Sequence, residues 1–294
     1  MFKEDIAPEL LLKIQQDFQR SIEENTRIKE LFKLLKSQKA TYAEANEYAI
    51  LIGENLAATF KKHITSDVLP DGRMYYNIAD RILKNTLENN HKLIADYSAE
   101  VQAALNKQAG IGIKALKPEL NIDRIEGIVN RVASEENFDN VSWILDEPVV
   151  NYSQSVVDAA IKINAAFHFK SGLSPRIIRT STGKCCDWCN KLVGVYDYQS
   201  VRDTGNDVFR RHRFCKCTVE YDPRDSKKVN VHTHKESGSK EDKEARIKLY
   251  EKQRKQLEKE EEKRRKLRIE KAKFFEEEQK QAIKERRERL IHGE

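Results

Sequence analysis

Residues 183–217 read GKCCDWCNKLVGVYDYQSVRDTGNDVFRRHRFCKC, and all five cysteines of the 294-residue chain fall inside this stretch. Cys186-x2-Cys189 is a knuckle: two thiolates across a tight turn can point at one cation. After 22 residues, His212-x2-Cys215-x-Cys217 offers three more donors. Tetrahedral Zn²⁺ takes four sulfur or imidazole ligands, and two clusters on the two sides of a small hairpin can supply them. The spacing assigns Cys186, Cys189 and Cys217, with either His212 or Cys215 as the fourth ligand and Cys185 as the spare. Both choices stay open, because alternate residues of a strand share a face while a turn at Arg213-Phe214 could bring His212 inward. An odd number of crowded cysteines in a chain made in a reducing cytoplasm reads as thiolate metal ligands rather than as a disulfide framework.

Around the cysteine turns lie PRIIRTS (175–181), KLVGVYDY (191–198) and KCTVEYDP (216–223), rich in β-branched and aromatic residues. They predict a two- or three-stranded unit at 174–224. A sheet that small is marginal alone, and a metal knot would supply what its core lacks.

Everything upstream carries a helical period. Over 8–36, Leu11, Ile14, Phe18, Ile22, Ile28, Leu31, Leu34 and Leu35 form one amphipathic stripe, with Pro8 in the first turn. Thr41 with Glu44 makes a capping box for a second helix, whose stripe is Tyr42, Ala45, Ala49, Ile52, Leu56 and Phe60. Pro70-Asp71-Gly72 is a turn. A third helix runs over 74–108 through Ile78, Ile82, Leu87, Ile94, Tyr97, Val101 and Leu105, and Gly110 and Gly112 end it. Shorter helical pieces follow at 122–132 and 141–145, then a helix over 151–172 with Val156, Ala160, Ile163 and Phe167 on one face and Gly172 as its stop.

Beyond residue 226 Glu and Lys/Arg recur at i,i+4 spacing with sparse apolar anchors, which predicts a charged, solvated C-terminal helix without a sustained heptad seam. The fold class is therefore mainly α: a helical N-terminal domain (1–148), a helix plus zinc-stapled β unit (149–225), and a linker with a charged helix (226–294).

Hydrophobic residues make up 39% and charged residues 35% of the chain. The net charge of +6 is a small difference between 54 basic and 48 acidic groups, so it permits contact with nucleic acid without arguing for it. The N-terminus lacks a secretory pattern, and no run approaches the roughly eighteen apolar residues of a membrane span. His63, His91, His168 and His292 are isolated and read as structural or solvated, and His232-x-His234 as exposed. No Gly-rich phosphate loop, H-E-x-x-H or G-x-S-x-G occurs, so an enzymatic reading has no site. Arg210, Arg211, Arg213 and Lys216, interleaved with Phe209 and Phe214, suit phosphate contact and base stacking; equally, they could balance Asp203, Asp207 and Asp222.

The block from 172 to 198 followed by DVFRRHRFCKCTVEYDP resembles the minor head proteins of tailed phages of Gram-positive bacteria, related to the MuF-like head morphogenesis group. The shared pattern is C-x-W-C, a short G-x-Y strand, then R-x-H-x2-C-x-C-T-V. Here it falls on Cys186, Trp188, Cys189, Gly194, Tyr196, Arg210, His212, Cys215, Cys217, Thr218 and Val219. The resemblance covers about 150–235, and the flanks fit the family only in type. It implies a non-enzymatic virion component inside the head, made in the host cytoplasm and contacting portal protein, other head proteins or phage DNA. The competing classes are a zinc-ribbon nucleic-acid-binding protein and a metal-dependent nuclease using His212.

Overall fold

The computed structural model describes residues 5–181, 186–202, 207–212, 215 and 217–223. The predicted charged helix beyond 226 lies outside the described residues, as do Cys185, Asp203, Arg213, Phe214, Lys216 and the histidines of the linker and C-terminus. The described part is mainly helical with one small sheet, as the periodicity predicts. Before the sheet its α-helices are α1 (Ala7–Glu24), α2 (Thr26–Lys36), α3 (Tyr42–His63), α4 (Tyr76–Ala79), α5 (Asn85–Gln108), α6 (Ile122–Val132) and α7 (Glu147–Lys170). A π-helical turn, Asp80–Lys84, joins α4 to α5. None of the described helices is long and apolar enough to cross a membrane.

The first predicted helix is two. Asn25 leaves helical geometry (φ −69°, ψ 111°), and its side chain accepts from the Ile28 amide, so it caps α2 and ends α1 in one residue. The capping box at the start of α3 forms as read, with Glu44 reaching back to the Thr41 amide at 2.7 Å. All six residues of the predicted α3 stripe are buried. Asp71 and Gly72 both take positive φ in the predicted turn, and Gly110 (φ +67°) stops α5.

At the centre of the bundle α3 and α7 pack closely because Gly53 has no side chain. A methyl group there would sit 2.8 Å from Ser153 Oγ and 2.9 Å from Val150 Cα, closer than packed atoms approach. Between α2, α3 and α5, Tyr48 stacks on Tyr97 with ring centroids 4.4 Å apart, and Phe32 meets both rings edge-on.

The sheet is antiparallel with order β2-β1-β3: β1 is Arg176–Thr180, β2 Gly194–Asp197 and β3 Thr218–Asp222. Alternation turns Ile177 and Arg179 of β1 inward, in register with Tyr221 and Val219 of β3. On the other face Arg176 pairs across the strands with Asp222 at 2.5 Å. Ile177, Val219 and Tyr221 belong to the same hydrophobic core as α3 and α7, so the sheet is no separate domain. A division at 148/149 falls inside the first turn of α7, and the described residues lie within one compact unit.

That shared packing also corrects the face read for α7. The helix begins at Glu147 and packs on α3, α5 and β3, so its buried residues lie on more than one face and include Val149, Tyr152, Val156, Val157, Asp158, Ala160, Ile161, Asn164, Ala165 and His168. Phe167 is left exposed, and His168 takes the inward position where the stripe placed Phe167. Its Nδ1 meets the Tyr221 hydroxyl, and the rings cross edge-on at 5.4 Å. Burial penalises the imidazolium and lowers the His168 pKa to about 4. The unfolded chain therefore binds this proton first: His168 favours the folded state fully above about pH 6.5, its free value, and progressively less as pH falls toward 4. In a histidine-resolved NMR titration His168 should remain neutral at pH 5.5, where a free imidazole is mostly protonated; a midpoint near 6.5 would contradict the buried neutral ring.

Candidate metal centre

The knuckle forms on a single helical turn. Cys186 is the residue before α8 (Asp187–Lys191), and its carbonyl accepts from the Asn190 amide at 3.0 Å. Cys189 lies three residues on, so the same turn carries both sulfurs on one side. Cys186 is exposed and Cys189 fully buried. From the other end, the His212 carbonyl accepts from the Cys215 amide at 3.1 Å, tying the two ends of the H-x2-C step together. Cys217 directly precedes β3 and is buried, as is Cys215.

The donors meet around Cys189. His212 Nε2 lies 2.9 Å from Cys189 Sγ and 3.3 Å from Cys186 Sγ, while Cys189 Sγ and Cys215 Sγ are 3.7 Å apart. Two overlapping triads result, Cys186–Cys189–His212 and Cys189–Cys215–Cys217, each with all its ligand atoms within 4.8 Å of one another. Either group can hold a metal ion, and all five donors assigned by spacing belong to one or the other. Burial pushes the Cys189 thiol up to about 11, so without a cation it keeps its proton at neutral pH.

Two arginines support this cluster from opposite directions, and neither role is visible in the motif. Arg211 does not belong to an exposed basic rim. It enters between α3 and α7, where Nε and Nη2 grip the Asp158 carboxylate at 2.5 and 2.8 Å. Nη2 also donates to Asn46 Oδ1 at 3.1 Å, and Nη1 to the Cys217 carbonyl at 2.8 Å. Gln154, with its amide oriented by its neighbours, accepts from Nη1 at 3.0 Å and donates to the Cys215 carbonyl at 3.0 Å. All five guanidinium N–H groups are thereby used. Burial opposes the charge, but Asp158 more than offsets it and raises the Arg211 pKa.

Arg179 projects inward from β1 and is 1% exposed. Its Nη1 donates to the carbonyls of Val208 (2.5 Å) and Arg210 (3.0 Å), and its Nη2 faces Cys215 Sγ at 3.7 Å and Cys189 Sγ at 3.9 Å. The guanidinium carbon lies 5.8 Å from the centre of the Trp188 ring, which in turn meets His212 edge-on at 5.6 Å. Of the other basic-rim residues, Arg210 is exposed, Phe209 is buried in the common core, and Arg213, Phe214 and Lys216 lie outside the described residues. His63 binds Asp17 at 2.7 Å, and His91 meets the Pro118 carbonyl at 3.2 Å, away from the cysteines.

The sequence carried a signal for both second partners. Arg179 breaks the apolar alternation of a strand on its inward phase, and Asp158 interrupts the run VVDAAI in a helix buried on most sides. Comparison with protein-family models, curated proteins and solved structures yields no match, so the reading of this site rests on the chain itself.

Removing one member of the Arg211–Asp158 pair strands a buried charge. Asp158→Ala should therefore lower unfolding stability by about 3–5 kcal/mol in urea titrations. The double variant Asp158→Ala/Arg211→Met should lose less than the sum of the two single changes; strict additivity would show that the pair is not coupled.

Proposed function

We propose that this chain is a non-enzymatic structural protein of a tailed-phage head, held by a structural Zn²⁺ and lying inside the head near the portal. The observation that carries the reading is the motif C-x-W-C…G-x-Y…R-x-H-x2-C-x-C-T-V, whose described members converge on one unit. Trp188 packs on His212, Tyr196 covers Gly194, and Thr218 and Val219 continue from the Cys217 ligand into β3. Most of the shared residues thus have a task in building the cysteine unit, and the motif reads as the specification of a scaffold.

Zn²⁺ suits the donors. Ligand sulfurs about 2.3 Å from a tetrahedral zinc lie about 3.8 Å apart, close to the Cys189–Cys215 separation of 3.7 Å. Four thiols, three of them buried, and an imidazole are borderline-soft ligands of the kind that select zinc over calcium or magnesium. The cation stabilises the β unit, and the Arg211 network passes that stability to α3 and α7. The long helices then serve contacts with portal and other head proteins.

The zinc-ribbon nucleic-acid-binding alternative draws on Arg210, which is exposed, while Phe209 and Arg211 are committed to the interior. DNA contact without sequence preference is compatible with the head reading and remains part of it.

Mass spectrometry of purified virions made from the genome encoding this chain should find it as a minor component, cross-linked to portal protein. Its absence from the particle would sink the head assignment. Independently, metal analysis of the purified chain should give about one Zn²⁺ per molecule, and Cys189→Ser should release it and loosen residues 174–224 in hydrogen exchange; an unchanged metal content would contradict the ligand role of Cys189.

A further inference from the structure

We propose that Arg179 is the positioning residue of the metal centre: it supplies the internal positive charge that a cation-bound thiolate cluster requires, and it holds the segment that presents His212. The inference rests on the metal-binding reading above and concerns a residue outside the cysteine-histidine motif.

The argument begins with an imbalance. A guanidinium buried this deeply is costly unless an anionic partner faces it. Arg211, the other buried guanidinium, has the Asp158 carboxylate. Arg179 has no carboxylate among the described residues. Its partners are two backbone carbonyls, two cysteine sulfurs and the Trp188 ring, and its Nε has no hydrogen-bond partner. Carbonyls orient a guanidinium without cancelling its charge. Among the described residues, the sulfurs are the groups placed to carry the counter-charge.

A metal-bound cluster provides it. A dication with three thiolates and an imidazole is net −1, and with four thiolates net −2, so the centre is anionic under either ligand set. Arg179 abuts the Cys189 sulfur, which both sets contain, and the Cys215 sulfur, which the four-thiolate set adds, and it cancels one unit of that charge. Hydrogen bonds from a cationic donor to bound thiolates are among the outer contacts that commonly set metal affinity.

The same side chain acts through geometry. Its grip on the Val208 and Arg210 carbonyls fixes the segment that leads into His212, and its contact with Trp188 holds the ring against which the His212 imidazole rests. One residue on the middle strand therefore touches both halves of the ligand set: the α8 knuckle through Cys189 and Trp188, and the other half through Cys215 and the carbonyls of Val208 and Arg210. This explains why an arginine occupies an inward strand position beside Ile177, where alternation calls for an apolar residue.

The test uses the full chain and two metals. Zn²⁺ affinity, measured by competition with a chromogenic chelator, should fall about 10- to 100-fold in Arg179→Met. In Arg179→Lys the loss should be smaller, because the charge is kept while the planar fork is not. Loaded with Co²⁺, Arg179→Met should shift the thiolate-to-cobalt charge-transfer band relative to wild type, a readout that a merely structural weakening would not move. Equal Zn²⁺ affinity and an unchanged Co²⁺ spectrum in Arg179→Met would overturn the proposal while leaving the metal centre intact. A wild-type chain that retains neither metal would overturn the metal reading and the proposal with it. Should Arg179→Met fail to fold, Arg179→Lys decides: weaker Zn²⁺ binding with a shifted spectrum supports the role, and wild-type values refute it.

Discussion

The described structure hangs on the insertion of Arg211 between α3 and α7. Its five N–H groups reach Asp158, Asn46, Gln154 and the Cys217 carbonyl, and Gln154 extends the chain to the Cys215 carbonyl. A guanidinium is suited to this because its planar fork makes several fixed hydrogen bonds at once and never loses its charge. The cost of burying that charge is offset only if every partner is in place. The cysteine loop, the sheet and the two central helices are thus obliged to adopt their arrangement together.

This requirement makes sense of features that are puzzling one at a time. Gly53 lets α3 and α7 approach closely enough to share the network. His168 and Tyr221 seal the far end of the same seam with a neutral, buried contact. The sheet, too small to stand alone, gives Ile177, Val219 and Tyr221 to the helical core and keeps Arg179 for the sulfurs. Two buried guanidiniums therefore flank the cysteine loop, one balanced by a carboxylate of α7 and the other facing the sulfurs. A bound cation would stabilise the loop directly and the helix pair through the carbonyls of Cys215 and Cys217.

Much of the fold was legible because its determinants are local. The α3 stripe, the Thr41–Glu44 capping box, the turn at Asp71-Gly72 and the three strands each depend on spacing within a few residues. So does the gathering of donors, since C-x2-C and H-x2-C-x-C place ligands within single turns. The break at Asn25 was missed because the hydrophobic stripe continues across it, and only the side-chain cap shows where one helix stops. The inward turn of His168 in place of Phe167 was missed because α7 packs on more than one side, and a single-stripe reading assumes one.

What the residues alone settle here is the helical character of the N-terminal part, a small sheet of two or three short strands and the identity of the five metal-competent side chains, because periodicity and donor chemistry are properties of neighbouring residues. Folding decides the fate of the arginines. Arg210, Arg211 and Arg179 are chemically equivalent in the sequence, yet one faces solvent, one binds a carboxylate 53 positions away, and one lies against sulfur. A guanidinium takes its role from the charge that tertiary packing brings to it.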